Sequence, residues 1–281
     1  MTAATPVAGA PRVAPRAPSV VGVGLRRGSI EIRQFMRERD AVVFSLLFPV
    51  GLMVLFASIF HGEIGNTGVD VRQVFIAGMI ASGIMSTSFQ SLAISIAIER
   101  DDGTLKRLAG TPMPRASYFV GKVVLVVVTG VIETILLLTI GTLAFGLKLP
   151  SSAARWVTFG WVFVLALVAC SLLGIAMASV PRSGRAAAAV VTPPFILLQF
   201  ISGVYIPFSQ LPAGLQQISS VFPLKWMCQG LRSVFLPDTF VSQEPAGSWE
   251  HGMIAIVLAA WCIGGLALCL RTFRWRGRRD G

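Results

Sequence analysis

The chain has 281 residues, 54% of them hydrophobic and only 13% charged, with a mean hydropathy of +0.74. Soluble domains carry roughly 25% charged residues, so this composition belongs in a bilayer and leaves no room for a large soluble catalytic domain. The formal charge of +11 gathers at both termini and at the edges of apolar runs, which points to an anionic cytoplasmic leaflet and away from nucleic acid.

Residues 1–24 are rich in Ala, Pro, Val and Gly and read as a disordered cytoplasmic tail; "VVGVG" is too short and glycine-rich for a signal-peptide core. In "LRRGSIEIRQFMRERD", Leu25, Ile32, Phe35 and Met36 recur at helical spacing while Arg26, Arg27, Arg33, Arg37 and Arg39 take other faces. This predicts an interfacial amphipathic helix leading into the membrane. Six apolar runs follow, at about 41–60, 74–98, 119–147, 156–180, 186–206 and 252–270. Each is near or above the ~20 residues that carry a helix across the hydrocarbon, so the predicted fold is all-α with six transmembrane helices. Pro49 and the pair Pro193-Pro194 are expected to kink their helices. The organisation expected is a tail over 1–24, a membrane domain over 25–270 and a basic cytoplasmic tail over 271–281.

With the N-terminus inside, the inner segments hold seven cations before Ala41, five from Arg100 to Lys122, Arg182, Arg185, and five after Leu270. The outer segments hold only Arg72, Lys148, Arg155, Lys225 and Arg232. The positive-inside rule therefore predicts both termini in the cytoplasm. Cys170, Cys262 and Cys269 fall in apolar runs and Cys228 in a polar connection, without C-x-x-C pairs or matching His spacing, so neither disulfides nor a metal site is expected.

Between the second and third runs lies the most charged stretch of the chain, "IERDDGTLKRLAGTPMPRASYFVGK". Asp101 or Asp102 can cap a short helix, Leu105 and Leu108 share a face, Gly110 suits the C′ position, and Pro112 with Pro114 prevents continuation. Such a helix, about Gly103 to Ala109, would be only ~10 Å long and needs something to pack against. It is either an ordinary polar loop or a helix that docks in a groove, with Leu105 and Leu108 as anchors and Lys106 and Arg107 flanking them.

This stretch resembles the E-[RK]-x-x-G-T-[LM]-x-x-L-x-x-[TS]-P pattern of ABC-2 type ABC transporter permeases, through Glu99, Gly103, Thr104, Leu105, Leu108, Thr111 and Pro112. A second stretch, "ISGVYIPFSQLPAGLQQISSVFPLKWMCQGLR", is similar to that family's S-G-x-x-x-P-x-x-x-[LM]-P segment, through Ser202, Gly203, Pro207, Leu211, Pro212, Pro223 and Arg232. Within the family the likeness is nearest to actinobacterial daunorubicin-resistance-type efflux permeases. It implies a cell-membrane protein of a high-GC Gram-positive bacterium, working as a dimer with a same or paralogous permease and two separate ATPase subunits. ATP and Mg would be held by the ATPase, and no cofactor by this chain. The coupling candidates are then Glu99, Asp101, Asp102, Gly103, Thr104, Leu105, Lys106, Arg107 and Leu108, with the helix from Leu25 to Asp40 as a second contact. The sequence agrees by absence: its only Gly-Lys pair, Gly121-Lys122, lacks the rest of a P-loop, so the chain is expected to hydrolyse nothing itself.

The segment between the fifth and sixth runs is punctuated by Pro207, Pro212, Pro223 and Pro237, and its apolar piece Leu224–Leu236 is too short to span. Interfacial or re-entrant helices are expected there. Ser202, Gly203, Pro207, Pro212, Pro223 and Arg232 form either an extracellular gate or a structural plug. Glu133 is the one acidic residue near the middle of a run; it would contact a cationic cargo or make a structural hydrogen bond to another helix. Ser82, Ser86, Thr87, Ser88, Gln90 and Ser91 crowd the second run and suggest a face toward a partner helix or pathway, or close small-residue packing. The resemblance places the first, second and fifth helices at the subunit interface, which makes Gln90 and Gln199 pathway candidates with Glu133. The expected activity is export of an amphipathic drug or antibiotic, with lipid or glycolipid export as the alternative. A membrane enzyme or secondary carrier would need clustered catalytic or buried ionisable groups, and Glu133 stands alone.

Overall fold

A computed structural model describes residues 19–65 and 67–273. Most of the tail expected over 1–24 and the basic tail beyond Phe273 lie outside those residues. The described part is helical, with no strand and a single β-bridge between Glu63 and Asp70.

Helix α1 (Val20–Arg37) starts five residues earlier than the pattern suggested, because Ser19 Oγ accepts a hydrogen bond from the Gly22 amide at 3.3 Å and caps it. "VVGVG" is thus helix, and Gly24 shows why it is glycine-rich: a Cβ there would come within 2.5 Å of Val120. After a break at Glu38, α2 (Arg39–Val42) passes through a π turn, Val43–Leu47, into α3 (Phe48–Ile59). Pro49, expected to remove a donor and kink its helix, follows this π turn: its missing N–H cannot reach the Ser45 carbonyl, and the turn upstream widens.

The second run is one continuous path: α4 (Val71–Met85), a π turn at Ser86–Ser91, and α5 (Leu92–Asp101). Asp70 caps it by accepting from the Arg72 amide at 2.9 Å. Every residue from Val74 to Phe89 is buried, so this helix is the centre of the bundle. After the short α6 (Thr104–Ala109) come α7 (Arg115–Phe145), closed by Gly146 at φ 66°, and α8 (Ala153–Met177). Helix α9 (Ala187–Ile201) continues through Pro193 and Pro194. Then follow α10 (Ala213–Val221), α11 (Pro223–Phe235) and α12 (His251–Thr272).

Among the described residues, four helices are long and apolar enough to cross a membrane: Val71–Asp101, Arg115–Phe145, Ala153–Met177 and His251–Thr272. The other two expected spans, Val43–Ile59 and Ala187–Ile201, are shorter apolar helices. The fifth run was expected to reach residue 206. It stops at Ile201 because Gly203 turns the chain with φ 84°.

Helix α11 lies in the segment where interfacial or re-entrant helices were expected. All 13 of its residues are buried, and it packs against α4, α8 and α12. Gly230 lets it approach α8, where a Cβ would meet Val162 at 3.0 Å.

Candidate functional site

The charged stretch folds locally as its residue types require. Asp102 Oδ1 accepts from the Thr104 amide at 2.9 Å, and Gly103 takes the left-handed φ of 78° that starts α6. Gly110 differs from expectation: it closes the helix in a right-handed conformation, at φ −83°. Thr111 Oγ1 donates to the Leu108 carbonyl at 2.7 Å and satisfies one of the free C-terminal carbonyls.

Leu105, expected to point outward as an anchor, is fully buried in this chain's own core, and Leu108 is half-buried against it. The leucines hold α6 to its own bundle. The exposed residues are Asp101, Asp102, Lys106, Arg107 and Ala109, while Thr104 Oγ1 accepts from Arg107 Nη2 at 3.1 Å.

Behind α6 lies a buried charge cluster. Lys122, on the second turn of α7, has no exposed surface, yet each of its three ammonium protons has an acceptor. These are Glu99 Oε1 at 2.5 Å and Ser95 Oγ at 3.0 Å, both on α5, and Glu31 Oε2 at 2.9 Å on α1. Tyr118 donates its hydroxyl to Glu99 Oε2 at 2.8 Å, and Arg27 pairs with Glu31 Oε1 at 2.6 Å. Two cations balance two carboxylates, which is what lets four charges stay away from water. Close backbone approach makes this possible: a Cβ on Gly28 would sit 2.7 Å from Val124, and one on Gly121 2.7 Å from Arg27.

The same end of α5 holds the α8–α9 connection. Arg100 donates to the carbonyls of Ala178 at 2.8 Å and Pro181 at 2.6 Å, and Asp101 Oδ2 accepts from the Gly184 amide at 2.9 Å. Residues 99–101 therefore tie α6 to α1, α7 and α8–α9 together. Glu99 and Asp101 were candidates from the sequence; Lys122 entered only as one cytoplasmic cation, and Glu31 not at all. A signal was present: a glutamate on an otherwise arginine-rich helix, and a lysine inside an apolar run, each need a counter-charge.

At the other end of α4, the expected gate residues meet in part. Arg232 is buried and forks onto Glu244, with Nε–Oε1 2.6 Å and Nη2–Oε2 3.2 Å. Its Nη1 faces the Gly203 carbonyl at 3.5 Å, where a Cβ on Gly203 would stand 3.3 Å from the guanidinium. Buried Ser202 Oγ accepts from Ser219 at 3.2 Å. Pro207, Pro212 and Pro223 each set a helix start: the 3₁₀ turn Phe208–Gln210, α10 and α11. Beside them the buried Lys225 ammonium lies 3.4 Å from the Trp226 ring centre and donates to Gln229 Oε1 at 2.7 Å.

The three pathway candidates are not brought together. Gln90 Nε2 donates to Thr192 Oγ1 of α9 at 3.0 Å, and Gln199 accepts from the Tyr205 hydroxyl. Glu133 is buried, and neither carboxylate oxygen has a hydrogen-bond partner among the described residues, so the expected structural hydrogen bond is not made. Its carboxyl packs on α4 where Gly83 leaves a notch; a Cβ there would be 2.6 Å from Oε1. Ser82, Ser86, Thr87 and Ser88 are likewise interior, and Thr87 and Ser88 bond to carbonyls of their own helix. The four cysteines are free and, among the described residues, no group could hold a metal.

A bundle of long apolar helices, with a buried charge junction at one end and a short polar helix mounted on it, is the architecture of a multi-pass membrane protein. Residues 28–236 match the family model described as "ABC-2 type transporter", and the chain belongs to that family. It is 25% identical over 177 residues to the "Probable multidrug ABC transporter permease YbhR" of Escherichia coli, covering 62% of this chain and 46% of that protein. It is 28% identical over 213 residues to the "Inner membrane transport permease YadH" of E. coli, covering 73% and 80%. With the "Putative transport permease YvfS" of Bacillus subtilis it shares 24% over 208 residues, covering 71% and 80%. The chain thus spans about half the length of YbhR and most of the other two.

Proposed function

We propose that this chain is the membrane subunit of an ATP-driven exporter, moving an amphipathic drug or antibiotic outward while a separate ATPase subunit supplies the energy. The observation that carries the reading is α6: a six-residue helix too short to persist alone, held by Leu105 and the Asp102–Thr104 hydrogen bond, with Lys106 and Arg107 turned outward. Its docking face is the charged rim of Asp101, Asp102, Lys106 and Arg107, not the leucines. The matching surface on the ATPase is acidic where it meets Lys106 and Arg107. ATP and Mg belong to that partner; closure of two ATPase subunits shifts two permeases between inward- and outward-facing states.

In this reading there are six spans, both termini are cytoplasmic, and α10 and α11 are re-entrant helices that close the outer end through Ser202, Gly203 and Arg232. A second permease, same or paralogous, meets the apolar groove along α9 lined by Thr192, Pro193, Ile196, Leu197 and Phe200. A drug-like cargo is favoured by the similarity to YbhR, a probable multidrug permease by name, and by a bundle with few fixed charges.

The test is co-purification of the cytosolic ATPase with the Lys106→Glu/Arg107→Glu chain. Association is expected to fall at least tenfold while the permease stays in the membrane at normal yield. Undiminished association would sink the docking assignment.

A further inference from the structure

The charge junction behind α6 suggests how motion leaves it. Glu99 stands five residues before Thr104, the first residue of α6, and both of its carboxylate oxygens are held, one by Lys122 and one by Tyr118. Lys122 in turn holds Glu31 on α1, 91 residues away in sequence. Sliding α5 past α7 or α1 would part charges that have no exposed surface or little, and leave each without a counter-ion in a poorly solvated place. The glycine contacts at Gly24, Gly28 and Gly121 remove the slack that side chains would otherwise provide.

We propose that Lys122 is a positioning residue that makes α1, α5 and α7 move as one body, so that displacement of α6 by the ATPase is carried into the membrane instead of being absorbed at the cytoplasmic surface. This rests on the reading of α6 as the ATPase-docking helix. The single variants Lys122→Met or Glu99→Gln would leave unbalanced buried charge and risk misfolding. The informative chain is the neutral triple Glu31→Gln/Glu99→Gln/Lys122→Met, which keeps approximate shape and removes the ionic tie, leaving only the partly exposed Arg27 without its counter-charge.

Each chain carries Ser209→Cys, an exposed position on the outer 3₁₀ turn, in a background with the native cysteines changed to alanine. It is studied in membranes together with the ATPase that co-purifies with it. The labelling rate with a membrane-impermeant maleimide is measured with and without ATP and vanadate. With the wild-type junction, trapping is expected to change the rate at least threefold. In the neutral triple variant the change is expected to vanish, with ATPase co-purification intact and basal hydrolysis within twofold. A neutral triple chain that responds like wild type overturns the proposal. So does one that loses ATPase association or hydrolysis along with the response, since the junction would then be scaffolding alone. If the wild-type junction itself ignores vanadate, the ATP-driven reading fails first.

Discussion

Opposite ends of the helix Val71–Asp101 carry buried ion clusters built on different plans. At the α6 end, inner in the proposed reading, Lys122 of α7 joins α5 and α1 through residues 23 and 91 positions away in the chain. At the α11 end, outer in that reading, Arg232 forks onto Glu244, only 12 positions away. A pair closed over 12 residues stiffens one local unit, α11 and the turn after it. A junction of distant helices makes separate elements share one position, so it suits transmission, whereas the outer pair suits a seal. Midway between them Glu133 has no counter-charge and no hydrogen bond among the described residues, which marks it as neither.

The comparison is most sharply broken at Lys122. Lys122→Met leaves Glu31 and Glu99 facing each other and should cost about 3–5 kcal/mol, read as a loss of thermal stability in detergent. Neutralising one glutamate should recover only part of it, and neutralising both most of it. Arg232→Met strands a single carboxylate and should cost about 3 kcal/mol. Here one change, Glu244→Gln, should restore most of the loss, because the pair has no third member. Equal recovery at the two sites after one compensating change would erase the distinction drawn between them.

Gly83→Ala should cost about 1–3 kcal/mol through overpacking on Glu133, and Glu133→Ala in the same chain should relieve it. Glu133→Gln, a nearly isosteric change that loses no partner, should change thermal stability by no more than about 1.5 kcal/mol. Drug resistance conferred by that chain separates a contact with cationic cargo from none, and an unaltered profile excludes the contact. The smallest effect is expected for Arg27→Ala, about 1 kcal/mol or less, because this rim residue of the inner cluster is 17% exposed and partly screened.

Much of the architecture is legible in residue patterns. The apolar runs mark the long helices, and Asp102-Gly103 with the leucine spacing marks α6 nearly to the residue. These follow from short-range rules: a cap, a turn and a period each involve residues within a few positions of one another. Orientation within such elements is less legible. Spacing places Leu105 and Leu108 on one face of α6 but does not say whether that face meets a partner or its own bundle; packing turned it inward. Lys225 and Arg232 do not show from sequence where their charges go; Glu244, Glu250, Gln229 and the Trp226 ring supply enough polar partners to bury α11 whole.

What the sequence determined alone is a helical membrane chain with one short, sharply bounded helix between its second and third apolar runs, because hydrophobic length and local turn chemistry are written in consecutive residues. What only the tertiary structure decided is which charges meet. Lys122 finds Glu31 across 91 residues because Gly24, Gly28 and Gly121 let α1 and α7 touch. That proximity depends on how helices pack, and no local pattern encodes it.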